Sequence, residues 1–233
     1  MADAGLERCL TFIHCQLQSA HGAKLTGNGH ERWRAVTLSR QYGAGGHVVA
    51  ERLAELLQAR AASPCAWQVF DRNLVQKVLE LHHLPTRFAK FMPEDRISEV
   101  KDTLDELFGL HPPAWALIHK TAETILHLAK MGNVILLGRG AHVITRRLDY
   151  VFHVRLVASL EKRVERIQKA EGLSKKAAAA FVRKEDRGRQ RYLRKYFDKD
   201  IADPLLYHVV LNTDLLGLEE TALTIANAMF PGH

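Results

Sequence analysis

Cysteine is scarce: 233 residues hold three, Cys9, Cys15 and Cys65. Their odd number and irregular spacing fit neither a zinc ribbon nor a redox pair, so they are expected to be reduced, cytosolic thiols. Long apolar runs are missing as well. The longest, such as Val134 to Leu137, fall far short of the roughly 20 residues that cross a bilayer. Met1 to Arg8 lacks the basic region and apolar stretch of a secretory signal, so export is not indicated and the cytoplasm is the expected location. Aromatic residues make up only 7% of the chain, which leaves few stacking platforms for single-stranded nucleic acid. The thirteen histidines are scattered, and the His82-His83 pair has no carboxylate or cysteine at ligand spacing, so no metal ligands are assigned.

What remains is an ordinary globular composition, 47% hydrophobic and 25% charged, in a length suited to one domain. A formal charge of +7 and a pI near 9.4 imply attraction to polyanions, either nucleic acid or a small phosphorylated ligand. The excess is concentrated. Between Arg183 and Lys199 eight cations stand against Glu185, Asp186 and Asp198.

Residues 1–30 are expected to form a helical extension and linker, with Leu10, Ile13 and Leu17 on one helix face and a glycine-rich break from Gly22 to Gly29. Residues 31–233 are expected to form the main domain. Ala35 to Leu38 is a β-prone run, then comes a glycine turn, then a helix marked by Val48, Val49, Leu53, Leu56 and Leu57. A second strand is expected at Trp67 to Phe70, and helices near Leu74 to Leu79, Glu99 to Leu107 and Trp115 to Lys130. Val134 to Leu137 is continuously apolar, as in buried parallel strands, and runs into Gly138-Arg139-Gly140. A strand at Val151 to Leu156, helices at Leu160 to Lys169 and Ser174 to about Arg187, a basic stretch, a strand at His208 to Asn212 and a helix at Leu218 to Met229 complete the order. Strands alternating with helices predict an α/β fold with a parallel sheet.

The turn Gly43-Ala44-Gly45-Gly46-His47 joins a strand to a helix, where unpaired amides and small residues let backbone approach a phosphate. A tight turn with no ligand is the alternative, and spacing alone does not separate the two. The turn also lacks the lysine and hydroxyl of a P-loop, since Gly46 and His47 stand in the last two places. Charge on the phosphates would then need another cation.

Taken together, Thr37 to His47 with Ala50 to Ala54, Phe70-Asp71-Arg72, Leu137 to Ala141, Arg163 and Arg166, Asp203-Pro204 with Tyr207, and Leu211 to Asp214 resemble the cytidylate kinase-like family of P-loop nucleoside monophosphate kinases. The likeness runs from about Ala35 to Met229 and leaves out only the N-terminal extension. That family tolerates a lysine-free turn. The resemblance implies a P-loop kinase fold with a helical monophosphate-binding region and a basic lid at about 183–200. It also implies ATP and Mg2+ as cofactors, nucleoside mono- and triphosphates as partners, and phosphoryl transfer from ATP to CMP or dCMP.

Phosphoryl transfer needs cations that position two anions and spread the developing charge. Gly43, Ala44, Gly45, Gly46 and His47 are the expected cradle for the ATP phosphates, and Arg40, just before the turn, is the candidate substitute for the lysine. Arg139, at the C-terminal end of a buried strand, resembles the arginine that holds the acceptor phosphate; a salt bridge closing the turn is its alternative. Arg163 and Arg166 can share a helix face and resemble the arginines before the family's lid, which implies contact with substrate phosphates, although a solvated face fits the spacing too. Asp186 with Arg187, Arg189 and Arg191 resembles the family's aspartate-arginine cluster, the acid reading cytosine and the arginines bridging phosphates, with the register open by a residue or two. Asp71 could hold magnesium through water or fix Arg72 toward the acceptor. Two other readings stay open: a nucleotide-binding sensor without catalysis, and a nucleic-acid-binding protein, the latter disfavoured by the lack of any helix-turn-helix or zinc-finger signature.

Overall fold

The computed structural model describes residues 7, 10–16, 33–60, 63–71 and 116–230. Five strands, β1 (Ala35–Arg40), β2 (Gln68–Phe70), β3 (Val134–Leu137), β4 (Val151–Val157) and β5 (Val209–Asn212), form one sheet in the order β2-β3-β1-β4-β5. Every pairing is parallel. The α/β expectation therefore holds. The expected helices at 74–79 and 99–107, with Arg72, lie outside the described residues.

Burial on both faces explains the apolar strand sequences. Val134 and Leu136 of β3 point into one core layer with Ile125 and Leu126 of α3 (Ala116–Met131). Ile135 and Leu137 point into the other, with Leu53 and Leu57 of α2 (Gly46–Arg60) and Ile225 of α7 (Leu218–Met229). Helices thus cover both faces of the sheet. One short helix, α4 (Ala141–Ile144), follows β3 directly.

Polar residues interrupt the first layer in one place. On β1 and β4, Thr37 pairs with His153 and Ser39 with Arg155, making two buried polar rungs on the face opposite Val36, Leu38, Val154 and Leu156. The upper rung lies at the C-terminal edge of the sheet, where open α/β sheets bind ligands. Because chain order reverses about β1, with β2 and β3 on one side and β4 on the other, the crevice opens above β1.

Helices α5 (Leu160–Glu171) and α6 (Lys175–Phe197) form a hairpin. The side chains of Ser159 and Ser174 cap them by accepting from the amides of Lys162 and Ala177, and α5 stops at Gly172 with φ 64°. Val164 and Ile167 pack against Ala178 and Val182. The basic stretch expected after Arg187 is instead ten more residues of α6, ending at Asp198 in the left-handed region. Lysine, arginine and glutamine are good helix formers, and a run of charge does not break a helix.

The helical extension is present over residues 10–16, with a different inward face: Phe12 and Ile13 are buried and Leu10 is exposed. Phe12 meets Phe70 edge-on at 5.7 Å. The expectation of reduced thiols is overturned for two of the three cysteines. Cys15 and Cys65 form a disulfide with Cα atoms 5.8 Å apart; Cys9 lies outside the described residues. Fifty residues separate the pair, and proximity made by packing a helix against the sheet edge leaves no mark in sequence spacing.

Candidate active site

The loop after β1 turns on Gly43 (φ 79°) and Gly45 (φ 81°), a backbone open to glycine and strained for other residues. At Gly43 a side chain is excluded twice over, since a Cβ there would lie 2.8 Å from the Arg163 carbonyl oxygen. Helix α2 begins at Gly46. The amides of Gly45, Gly46 and His47 make no backbone hydrogen bond among the described residues, leaving donors and the positive end of α2 directed at the crevice.

The α5 arginines act on the outside of this loop. Arg163 donates from Nε to Ala158 O (3.1 Å) and from Nη1 to Tyr42 O (3.2 Å) and Asp186 Oδ2 (2.5 Å). Arg166 donates to Gly43 O (3.3 Å), Thr213 Oγ1 (3.1 Å) and Thr213 O (3.0 Å). The two side chains do share a face, and that face binds loop carbonyls. Asp186 completes the clamp, accepting from the Tyr42 amide at 2.8 Å while its other oxygen holds Arg163. The α6 helix is thereby pinned to the loop.

Arg40 lies over the turn. A Cβ on Gly46 would stand 3.0 Å from Arg40 Cγ, and one on Gly138 would collide with Arg40 Nη1. The side chain therefore runs from Gly46, where a P-loop lysine would project, to the turn after β3. Burial and then the nearby Arg189 lower its pKa from the ordinary arginine value to about 10, against the opposing pull of Asp71; it stays charged at neutral pH. The same Arg40 charge, after burial, depresses the pKa of His47. Asp71, just after β2, raises both, with Glu185 adding to the pull on Arg40 and Glu51 to that on His47, so Asp71 is the carboxylate that acts on both groups of this corner.

The turn after β3 is left-handed through three residues, Gly138 (φ 88°), Arg139 (φ 55°) and Gly140 (φ 71°). Such backbone at a non-glycine residue is costly and tends to occur at functional sites. Arg139, Arg40, Ser39, His142 and Arg189 are among the residues lining a cavity of about 50 Å³. A second cavity of about 40 Å³ is lined by Arg40, Gln41, Arg155, Asp186, Arg189, Gln190 and Ile201. Of the three α6 arginines singled out in the sequence, Arg189 faces inward, between the cavities and over the Tyr42 ring at 4.9 Å. Arg187 and Arg191 are exposed. Steps of two residues rotate by about 200° on a helix, so the three cannot share one face.

Sequence reading missed Arg155. It is only 6% exposed, and Nη1 donates to Ser39 Oγ (3.1 Å) and the Tyr207 hydroxyl (3.5 Å). That hydroxyl also meets His142 Nε2 at 3.2 Å. His142 and His153 are held neutral, each with its pKa lowered to about 3, chiefly by burial. The available signal was alternation: within Val151 to Leu156, His153 and Arg155 fall on one face of an otherwise apolar strand.

No group of three or more potential metal ligands occurs among the described residues. A magnesium ion carried on nucleotide phosphates needs only one or two carboxylates, and Asp71, facing the Arg40 corner, is suited to that task.

Comparisons with known proteins give the family and the fold. The family model described as "Cytidylate kinase-like family" matches residues 35–215. A curated protein of Pyrococcus horikoshii named "Cytidylate kinase" is 35% identical over 145 residues, 60% of this chain and 72% of that protein. The crystal structure of an uncharacterized protein from Eubacterium ventriosum shares the fold with a TM-score of 0.57 at 18% identity, covering 84% of this chain and 97% of that one. No helix among the described residues is long and apolar enough to cross a membrane. With the matched segment spanning the glycine turn, the left-handed Arg139 turn and the α5–α6 hairpin, the chain belongs to the cytidylate kinase-like family.

Proposed function

We propose that this protein is a nucleoside monophosphate kinase that transfers a phosphoryl group from ATP to CMP or dCMP. The observation that carries the reading is the convergence of Arg40, Arg139, Arg155 and Arg189 on two small cavities above the C-terminal ends of β1 and β3. Four guanidiniums at one spot suit two phosphate-bearing substrates and the charge that develops between them.

Within this reading the amides of Gly45, Gly46 and His47 receive the ATP phosphates. Arg40 supplies the cation that an ordinary P-loop places at Gly46, reaching it from the strand instead of the helix. Arg139 holds the acceptor phosphate, and Arg189 spans both cavities. Asp71 would hold Mg2+, which when bound neutralises charge on the β- and γ-phosphate oxygens. Arg163 and Arg166 are positioning residues that hold the loop from behind. Asp186 accepts one hydrogen bond on each oxygen, from Tyr42 N and Arg163 Nη1, and a carboxylate keeps further acceptor sites with which to receive a cytosine amino group.

The test is a phosphotransfer panel: the whole chain, ATP, magnesium, and CMP, dCMP, UMP and AMP in parallel. CDP or dCDP should form fastest. Arg139→Ala should raise the acceptor KM about ten- to a hundred-fold, the value of a lost charge-assisted pair. Tight ATP binding with no diphosphate product from any acceptor would replace the kinase reading with a nucleotide sensor.

A further inference from the structure

The two cavities share Arg40, Arg189 and Ile201, and differ in what lies beyond: Arg139 in one, Arg155 in the other. Arg155 sits on β4 in register with Ser39, beneath the crevice. The residue as a whole is more than nine-tenths buried. It forms no ion pair among the described residues, and its hydrogen bonds there run from Nη1 to two neutral hydroxyls. Burying a cation without a counter-charge is costly, and hydroxyls do not neutralise it.

The surroundings orient this charge. Tyr207 packs its ring under the guanidinium, 5.6 Å from centroid to Cζ. Its hydroxyl is fixed by Ile201 O at 3.0 Å and His142 Nε2 at 3.2 Å. With Nη1 occupied, the donors on Nε and Nη2 have no acceptor among the described residues. The adjoining cavity, about 40 Å³, has room for roughly three waters or one tetrahedral oxyanion. Its sole lining carboxylate, Asp186, is already engaged by Tyr42 N and Arg163 Nη1. Three arginines face this phosphate-sized space: Arg189 pairs with Glu185 at 3.7 Å and Asp186 at 3.8 Å, whereas Arg155 brings a charge with no ion pair among the described residues.

We propose that Arg155 is a phosphate-binding residue: with Arg40 and Arg189 it forms a second phosphoryl pocket, separated from the Arg139 pocket by the Arg40 side chain. Which substrate's phosphate it takes rests on the kinase reading. That it takes a phosphate does not. The pocket joins the sheet to the lid, with Arg40 and Arg155 on β1 and β4 and Asp186, Arg189 and Gln190 on α6, and Arg40 between the two pockets touches both transferring partners.

The experiment compares the whole wild-type chain with Arg155→Gln and Arg155→Lys. Pyrophosphate binding is followed by calorimetry, and steady-state KM values are measured for ATP and CMP. Pyrophosphate should bind about ten- to a hundred-fold more weakly to Arg155→Gln, with Lys restoring part of the loss, since it keeps the charge and not the fork. The matching rise in KM falls on ATP if the pocket holds a donor phosphate and on CMP if it holds the acceptor's. The proposal is overturned if wild type does not bind pyrophosphate, or if a folded Arg155→Gln binds it normally and keeps both KM values. Should Arg155→Gln fail to fold, the wild-type arginine Nε–Hε resonance that disappears in Arg155→Lys must move on adding pyrophosphate; an unmoved resonance overturns the proposal. A wild type without any turnover whose pyrophosphate binding depends on Arg155 would end the kinase reading and leave this pocket standing.

Discussion

Replacing Arg40 by methionine should make the unliganded protein more stable while removing its activity. The pKa of Arg40 falls from the ordinary arginine value to about 10, mainly through burial and then through Arg189. At about 1.4 kcal/mol per pH unit, the folded state carries a penalty of roughly 3 kcal/mol for keeping this charge. A depressed pKa on a cation means the penalty is full below pH 10 and fades between pH 10 and 12.5, so at pH 7.5 all of it is present. Methionine keeps a flexible stem against Gly46 and Gly138 and loses the charge. Allowing for relaxation, Arg40→Met should gain about 2 kcal/mol, a Tm rise of roughly 4–8 °C for a chain of this size. Thermal and urea unfolding in phosphate-free buffer measure it. Adding ATP at about a hundred times its Kd contributes about 2.7 kcal/mol to the wild type, and should reverse the order of the two proteins. An Arg40→Met protein less stable than wild type without ligand would refute the argument, because Arg40 would then be a structural member and not a charge held ready for an anion. Retained turnover would refute it equally.

Restoring the missing lysine gives a second test. Gly46→Lys alone should lower kcat/KM about ten-fold or more, because its Cβ crowds Arg40 Cγ. In the Arg40→Ala background the same lysine should recover activity, so a double-mutant cycle shows strong non-additivity. Arg166→Ala releases the carbonyls of Gly43 and Thr213 and should raise the KM for ATP several-fold, with the CMP KM little changed, as steady-state kinetics would report. Removing the Cys15–Cys65 bond, by reductant or by Cys65→Ser, should cost up to about 4 kcal/mol from the freed 50-residue loop, seen as a lower urea midpoint with kcat nearly constant.

Much of the fold could be read from local pattern. Val134 to Leu137 is an uninterrupted apolar run because β3 is buried on both faces, and Leu218 to Met229 keeps helical spacing with its apolar side on the α2 layer. The end of α6 was hidden because its last ten residues are dominated by charge, although Tyr192, Leu193, Tyr196 and Phe197 recur there at helical spacing and pack inward. Arg187 and Arg191 were chosen for their charge, and the phase of the helix turns both away from the cavities. Arg40 was visible through what its neighbour lacked: an empty lysine position implies a cation elsewhere. Arg155 and the Cys15–Cys65 bond were not visible in that way, since each depends on which strand or helix becomes its neighbour, and that is decided by the sheet order.

The disulfide has a topological effect on the site. Residues 15 to 65 form a closed covalent ring, and the ring contains β1, Arg40, the glycine turn and α2. A protease cut at one point between Cys15 and Cys65 would open the ring and still leave both pieces as a single molecule, separable on a gel only after reduction. The segment that carries Arg40 and the glycine turn is thus closed by one covalent link, and the N-terminal extension supplies one end of it.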